Sequence, residues 1–566
     1  MTRGQGDKET RRRVNLRVAL SPLLLVSIPL AFLAVFYFYP LAAITRLSLA
    51  PRGTLDLRAL AALVSSPYYL QTLWFTAWQA LASTALTLLA GLPAAYVFAR
   101  YDFPAKSLLR ALTTIPFVLP TVVVAVAFTL LLGPNSSLNL ALMRLFRLDT
   151  PPIQLMGTIW MILLAHVFYN YTVVLRIVGS FWANLDPALE DAAAVLGASR
   201  LWRFLEITLP LLTPSVAAAA LLVFIFDFTS FGVVLILGGA QFATLEVEIY
   251  RQTVNLFNLP MASALSLVQI ACTLALTAIY TRLQARTARP LNLRPQSVTQ
   301  RKPVTLRARL LVSVNVIFMA VLLLTPLLAL VMRSIGEGLQ PLAELLINRR
   351  GSYFYVPPVV AIRNSLLAAS LTVAASLALG FIAANYLARG TGRWAAMLDP
   401  LFMLPLGTSA VTLGFGYIIT LDKPPLDLRA SPALLPLAHT LVAFPFVVRS
   451  LLPVLRGIRP SLRGAAAVMG ASPWRVWREV DLPIVGRAML VAAAFAFAIS
   501  MGEFGATALV ARPEFPTMPV VIYRFLGQPG ALNYGQALAM STLLMLVCAA
   551  GIVLIERARV GEVGEF

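Results

Sequence analysis

At 566 residues, with 59% hydrophobic and only 12% charged residues and a mean hydropathy of +0.81, the chain has too little polar surface for a soluble globule. Its net charge of +21 does not point to nucleic acid. The Lys and Arg lie in short loops between apolar runs, which is the positive-inside pattern of an integral membrane protein, and not in a basic stripe on a polar domain.

Stretches long enough to cross roughly 30 Å of hydrocarbon lie near 18–40, 70–97, 110–132, 154–179, 215–239 and 262–284, and again near 308–333, 364–388, 398–420, 431–455, 487–510 and 535–556. The expected fold is all-α, with about 12 transmembrane helices. The first run follows the basic head Arg11-Arg12-Arg13 and Arg17 and exceeds the apolar core of a signal peptide, so it reads as a retained span. An even number of spans places both termini on one side. The N-terminal head, the loops with Arg100, Lys106 and Arg110 and with Arg389 and Arg393, and the basic stretch 282–309 put that side in the cytoplasm.

The stretch 286–307, basic and broken by Pro290, Pro295 and Pro303, reads as a linker between a first half, 1–285, and a second, 308–566. Cys272 and Cys548 both sit in apolar runs, so neither a disulfide framework nor a cysteine metal motif is expected.

The two halves repeat. A shift of 273 positions, without a gap, pairs Ala165-His166 with Ala438-His439, Arg176 with Arg449, Pro187 with Pro460, Phe231-Gly232 with Phe504-Gly505, and Ile249-Tyr250-Arg251 with Ile522-Tyr523-Arg524. Upstream, Gly91–Arg100 resembles Gly380–Arg389 at a slightly larger offset. Six spans per half give both repeats one orientation, and so predict two six-helix bundles about a pseudo-two-fold along the membrane normal, with a pathway between them.

Within each half one polar, small-residue segment interrupts the apolar pattern: 186–210 and 459–483. Both contain an Ala triplet, Gly197 or Gly470, an Ala-Ser pair, Glu206 or Glu479, and a closing Leu-Pro. The local signals predict helix, turn, helix. Asp186 caps Pro187 at the first helical position, Gly197 stands where a left-handed residue ends the helix, and Ser199 or Ser472-Pro473 caps the next. An interfacial amphipathic loop would use the same Arg and Trp residues, but the duplication of turn and caps favours a docking device.

The spacing Glu/Asp-Ala-Ala, three residues, Gly, nine residues, Ile/Val, one residue, Leu-Pro resembles the EAA loop of binding-protein-dependent ABC importer permeases of the type I, MetI-like fold. The resemblance covers both halves, and the fusion of two permease halves is similar to the ferric iron and thiamine permeases. It implies that each loop docks on an ATP-hydrolysing subunit, through Glu190, Asp191, Ala192, Ala193 and Gly197 in the first copy and Ala465, Ala466 and Gly470 in the second. The second copy departs from the pattern, with Arg463-Gly464 where acids are expected.

No phosphate-binding G-x-x-x-x-G-K-[ST] loop occurs, and no Gly-Lys pair at all. This chain is therefore expected to be no enzyme and to carry no cofactor of its own, with ATP and Mg on two copies of a partner ATPase. The further partners implied are a substrate-binding protein on the outer face and the bilayer of a bacterial-type inner membrane.

Ionisable groups inside spans are candidates for the substrate path, because charge in hydrocarbon is costly. These are Asp227 and Glu503, with Ser230 the repeat equivalent of Glu503. The histidines His166 and His439 lack a second ligand at helical spacing and read as packing or hydrogen-bonding residues, leaving no metal site expected. The segments Thr244–Arg251 and Thr517–Arg524 are expected to face the outside, either for a binding protein or as solvated loops. A self-sufficient ion-coupled transporter or channel using Asp227 and Glu503 is the alternative function, but it leaves the two cytoplasmic loops without a purpose. A membrane-embedded enzyme has no His-Glu-x-x-His or comparable constellation.

Overall fold

The computed structural model describes residues 24–560 apart from 240, 288–299, 349–355, 391, 423 and 425. Most of the expected linker therefore lies outside the described residues. The described chain is helical, with eleven helices long and apolar enough to span a membrane and a twelfth span if one sharply bent pair is counted. In chain order these are α1 (Leu24–Leu49), α2 (Pro67–Arg100), α3 (Thr121–Phe146), α4 (Ile159–Asn184), α5 (Arg200–Phe228), α6 (Leu259–Leu283), α7 (Leu306–Gly336), α8 (Val360–Arg389), the bent pair α9 (Arg393–Gly407 and Ala410–Thr420), α10 (Leu434–Gly457), α11 (Trp474–Gly502) and α12 (Ala531–Gly551).

A helix satisfies its own backbone, so it is the natural element for these apolar runs. What joins helices inside a bilayer is close packing of small residues. The repeat places the same contact in each half: a Cβ on Gly91 of α2 would lie 2.8 Å from Val174 of α4, and one on Gly380 of α8 would lie 2.5 Å from Val447 of α10. Both glycines are what lets these central helix pairs approach so closely.

Three features depart from the sequence reading. The runs expected as single spans over 215–239 and 487–510 are broken: α5 ends at Phe228 and a short helix Gly232–Leu237 follows, while α11 ends at Gly502 and Gly505–Val510 follows. The ninth span turns by 93° at Thr408-Ser409. And the first helix of each half packs on the other half. In α1, the Tyr37 hydroxyl is hydrogen-bonded to Thr408 Oγ1 at 2.7 Å, and Tyr417 of α9 donates to the Phe36 carbonyl at 3.0 Å. In return α7 lies against α2 and the N-terminal half of α3, with Phe318 beside Tyr171 of α4. Hydropathy alone cannot reveal this, because a helix that crosses to the other bundle is as apolar as one that does not.

Candidate functional site

Each half presents the polar segment before α5 or α11 as a short helix, a tight turn and an elbow. The first helix, Pro187–Val195 or Pro460–Val468, closes on a left-handed glycine, Gly197 at φ +87° and Gly470 at φ +83°. The cap is the same in both: Gly197 and Ala198 N–H donate to the Ala194 and Ala193 carbonyls, and Gly470 and Ala471 to those of Ala467 and Ala466, all at 3.0 Å. Asp186 accepts from Ala188 N–H and Ser199 from Trp202 N–H, as the capping signals predict. A five-residue π-helical turn, Phe204–Thr208 or Trp477–Asp481, then feeds the chain into its span.

The docking candidates divide by position. Asp191, Ala192, Gly197, Ala465 and Gly470 are exposed, while Ala193 is buried and Ala466 half-buried on the inner side. Strongly exposed apolar residues of the loops lie outside the motif: Val195 and Leu196 are both 88% exposed, and their equivalents Val468 and Met469 are 90% and 81% exposed. Apolar side chains so fully presented beside a fixed turn mark an interaction surface.

Glu190, expected to face a partner, is turned inward. Its Oε1 accepts from Arg100 Nη2 at 3.0 Å and from the Thr208 hydroxyl at 2.9 Å. Arg100, the buried last residue of α2, also donates to the Leu185 carbonyl, and its own carbonyl accepts from Arg301 N–H at 3.0 Å. In the second half the acid has moved. Arg463, in the place of Glu190, donates to Asp481 Oδ1 at 2.8 Å, and Asp481 stands in the place of Thr208; Arg389 at the end of α8 lies 4.0 Å from the same carboxylate. Both halves thus fasten loop, elbow and the end of the second span of their repeat by one carboxylate, drawn from different sequence positions.

The second cluster lies at the far end of α5 and α11, about 30 Å from the loops by helix rise over Leu209–Phe228. There the halves meet around a cavity of about 380 Å³, lined by Asp227, Ser230 and Phe231 from one half and by Ser409, Glu503 and Phe504 from the other. Phe231 and Phe504, which are repeat equivalents, stack with ring centroids 5.5 Å apart, each flanked by its equivalent tyrosine, Tyr250 or Tyr523, at 5.4 Å.

The histidines organise the walls. His166 is hydrogen-bonded through Nδ1 to Ser83 at 2.9 Å and through Nε2 to Ser230 at 2.8 Å, with Asp227 Oδ1 3.5 Å from Nδ1. Asn170 donates to Asp227 Oδ1 at 2.7 Å, and Gln79 to the Asp227 carbonyl at 2.7 Å. His439 is hydrogen-bonded to Ser500 at 2.7 Å and Thr507 at 2.8 Å, with Glu503 Oε2 3.4 Å away. Asp227 and Ser230 in one half correspond to Ser500 and Glu503 in the other, so each histidine has one acid and one serine with their places reversed. The structure therefore unites the three path candidates and gives both histidines the hydrogen-bonding role read from the sequence. Ser83, Asn170 and Gln79 were not foreseen, since polar residues on a long apolar helix carry no local signal of what they face.

The segments expected to be solvated or to dock a partner are buried instead. Glu246 and Glu248 are 0% and 1% exposed. Glu246 accepts from Gln269 at 2.8 Å and from the Ser409 hydroxyl of the other half, and Glu248 accepts from Tyr68 and Gln252, each at 2.8 Å.

Two inverted-charge loops on one side, and a shared cavity on the dyad between two equivalent bundles, define a transmembrane permease. Residues 87–289 match the family described as binding-protein-dependent transport system inner membrane component. That match lies in the first half, and over most of its length the chain is similar to permeases of ATP-driven importers. It is similar to the probable ABC transporter permease protein y4fN of Sinorhizobium fredii, 27% identical over 94% of this chain and 95% of that one. It is likewise similar to the thiamine transport system permease protein ThiP of Escherichia coli, 27% identical over 85% of this chain and 88% of that one. The putative 2-aminoethylphosphonate transport system permease protein PhnU of Salmonella paratyphi A is 28% identical and aligns over 47% of this chain and 93% of its own length, so one chain there corresponds to one half here.

Proposed function

We propose that this permease receives a solute of the thiamine or ferric iron type from a substrate-binding protein on the outer face and passes it inward through the cavity at the dyad. Two copies of a separate ATPase subunit, which hold the ATP and Mg, dock on the loops 186–210 and 459–483, with both termini and the linker on their side of the membrane. Asp191, Ala192, Gly197, Ala465 and Gly470 lie on the docking faces, while Glu190, Ala193 and Ala466 hold those faces in place. The stacked Phe231 and Phe504 form the closure between the cavity and the outside.

One observation carries this reading: both loops present the same exposed apolar pair and left-handed glycine, Val195-Leu196-Gly197 and Val468-Met469-Gly470, although their charges differ. Shape shared by two surfaces of unlike charge is what two copies of one partner require. Cells expressing Gly197→Asp or Gly470→Asp should insert the protein normally yet lose substrate uptake and co-purification of the ATPase. Wild-type ATPase recovery with both variants would refute the docking role. Gradient-driven uptake by the chain alone in proteoliposomes, without ATP, would establish the secondary-transporter alternative instead.

A further inference from the structure

The two carboxylates lining the cavity have opposite hydrogen-bonding status. Glu503 is fully engaged: Oε1 accepts from Ala506 N–H at 2.8 Å, and Oε2 accepts from Thr507 N–H at 3.0 Å and from the Thr507 hydroxyl. It restrains the first turn of the short helix Gly505–Val510 after the break in α11. Asp227 is 1% exposed, and only its Oδ1 is bonded, to Asn170; Oδ2 has no hydrogen-bond partner. A buried carboxylate oxygen without a partner is costly in an apolar setting, and such groups are accounted for by a strain, a catalytic role or a ligand.

We infer that Asp227 is the counter-ion for a singly charged organic cation held in the cavity, and that Glu503 is a structural cap that does not contact it. The inference rests on the reading of this cavity as the transport path and names its substrate class.

The remaining walls fit such a ligand. Phe226, Phe231, Phe446, Phe495, Phe504 and Tyr169 all line the cavity, and aromatic faces attract organic cations by roughly 0.5–2 kcal/mol each. The cavity volume of about 380 Å³ falls within the range of small-molecule sites, about 300–1,000 Å³. A multivalent metal ion fits poorly. It needs several oxygen or nitrogen ligands at once, yet both ring nitrogens of His166 and of His439 are engaged and both oxygens of Glu503 are occupied. Among the described residues no group of three or more His, Cys, Asp or Glu is placed to hold a metal ion.

The test is equilibrium dialysis of radiolabelled thiamine against the full-length permease in lipid nanodiscs, with thiochrome, its uncharged oxidised form, as the neutral comparison. Asp227→Asn should weaken thiamine binding at least tenfold while leaving thiochrome unchanged. Asp227→Glu should recover most of the affinity, and Glu503→Gln should stay within about threefold of wild type. Val442→Trp, which fills the cavity from α10, should abolish binding of both compounds. Unchanged thiamine affinity in Asp227→Asn, an equal loss in Glu503→Gln, or no thiamine binding by the wild type would overturn the assignment. If Val442→Trp abolishes binding while Asp227→Asn does not, the charge assignment alone fails. If Val442→Trp binds thiamine normally, the reading of the cavity as the path fails with it.

Discussion

The two halves share a backbone and differ in where they keep their charges. At the loops the carboxylate is Glu190 on the first helix in one copy and Asp481 on the elbow in the other. At the cavity it is Asp227 in one half and Glu503, three equivalent positions further on, in the other. At the cavity the imidazole stays put while the acid changes its position in the chain; at the loops Arg389 keeps the place of Arg100, but the displaced acid is bound most closely by Arg463, which stands where Glu190 does in the first half. Duplication has preserved the spatial pairing rather than the residue at each position. A position-by-position comparison of the repeats therefore overstates their electrostatic difference at the loops. At the cavity it understates the functional one, since only Asp227 keeps an unpartnered oxygen.

The loop pairs offer the sharpest way to break this comparison. Arg100→Glu should have the largest effect, because it sets two acids against each other beside a buried helix end and removes the bond to the Leu185 carbonyl. Breaking buried pairs costs about 3–5 kcal/mol; with the Glu190 side chain 34% exposed, roughly 2 kcal/mol is a fairer expectation after solvent screening. Uptake assays and ATPase recovery should fall at least tenfold and improve when Glu190→Arg is added. A double variant no better than the single would show that the pair is incidental.

Next in size, Arg463→Glu should impair uptake severalfold, with recovery in Arg463→Glu/Asp481→Arg. The recovery should be partial, since Arg389 then faces a like charge at Asp481. Full activity in the single variant would restrict fastening by a carboxylate to the first half.

Smaller still, Glu503→Gln should lower the thermal midpoint of the purified protein by about one degree, the scale in a chain of this length of a lost helix-cap interaction of about 1 kcal/mol, and Ser230→Ala less. The smallest effects belong to exposed positions. Asp191→Lys should weaken ATPase recovery by about two- to threefold, as expected for a surface charge, and Gly464→Ala should leave it unchanged. Equal effects of the two would mean that Asp191 is only solvated surface.

Much of this organisation was legible in the sequence. The 273-residue repeat, the caps at Asp186, Ser199 and Ser472, and the left-handed turns at Gly197 and Gly470 follow from local chemistry, and the structure realises them. The breaks after Phe228 and Gly502 were hidden because the residues beyond them, Gly232–Leu237 and Gly505–Val510, remain apolar and keep any hydropathy window high. The inward turn of Glu190 depends on Arg100, ninety positions away, and no local pattern reports such a meeting. The burial of Glu246 and Glu248 is hidden for the same reason, since their partners Gln269, Tyr68 and Ser409 come from two different helices and from the bend in α9.

The crossing of α1 and α7 also bears on how the protein is made. α1 enters the bilayer long before the α9 surface that receives Tyr37 has been synthesised, and the first bundle lacks its α7 wall until the second has begun. The first bundle cannot complete its core during its own synthesis, and α1 waits in lipid until the second bundle forms around it. Joining the two on one chain keeps the missing helix at high local concentration and fixes their ratio at one to one. Halves produced as separate polypeptides should accumulate only when they are expressed together.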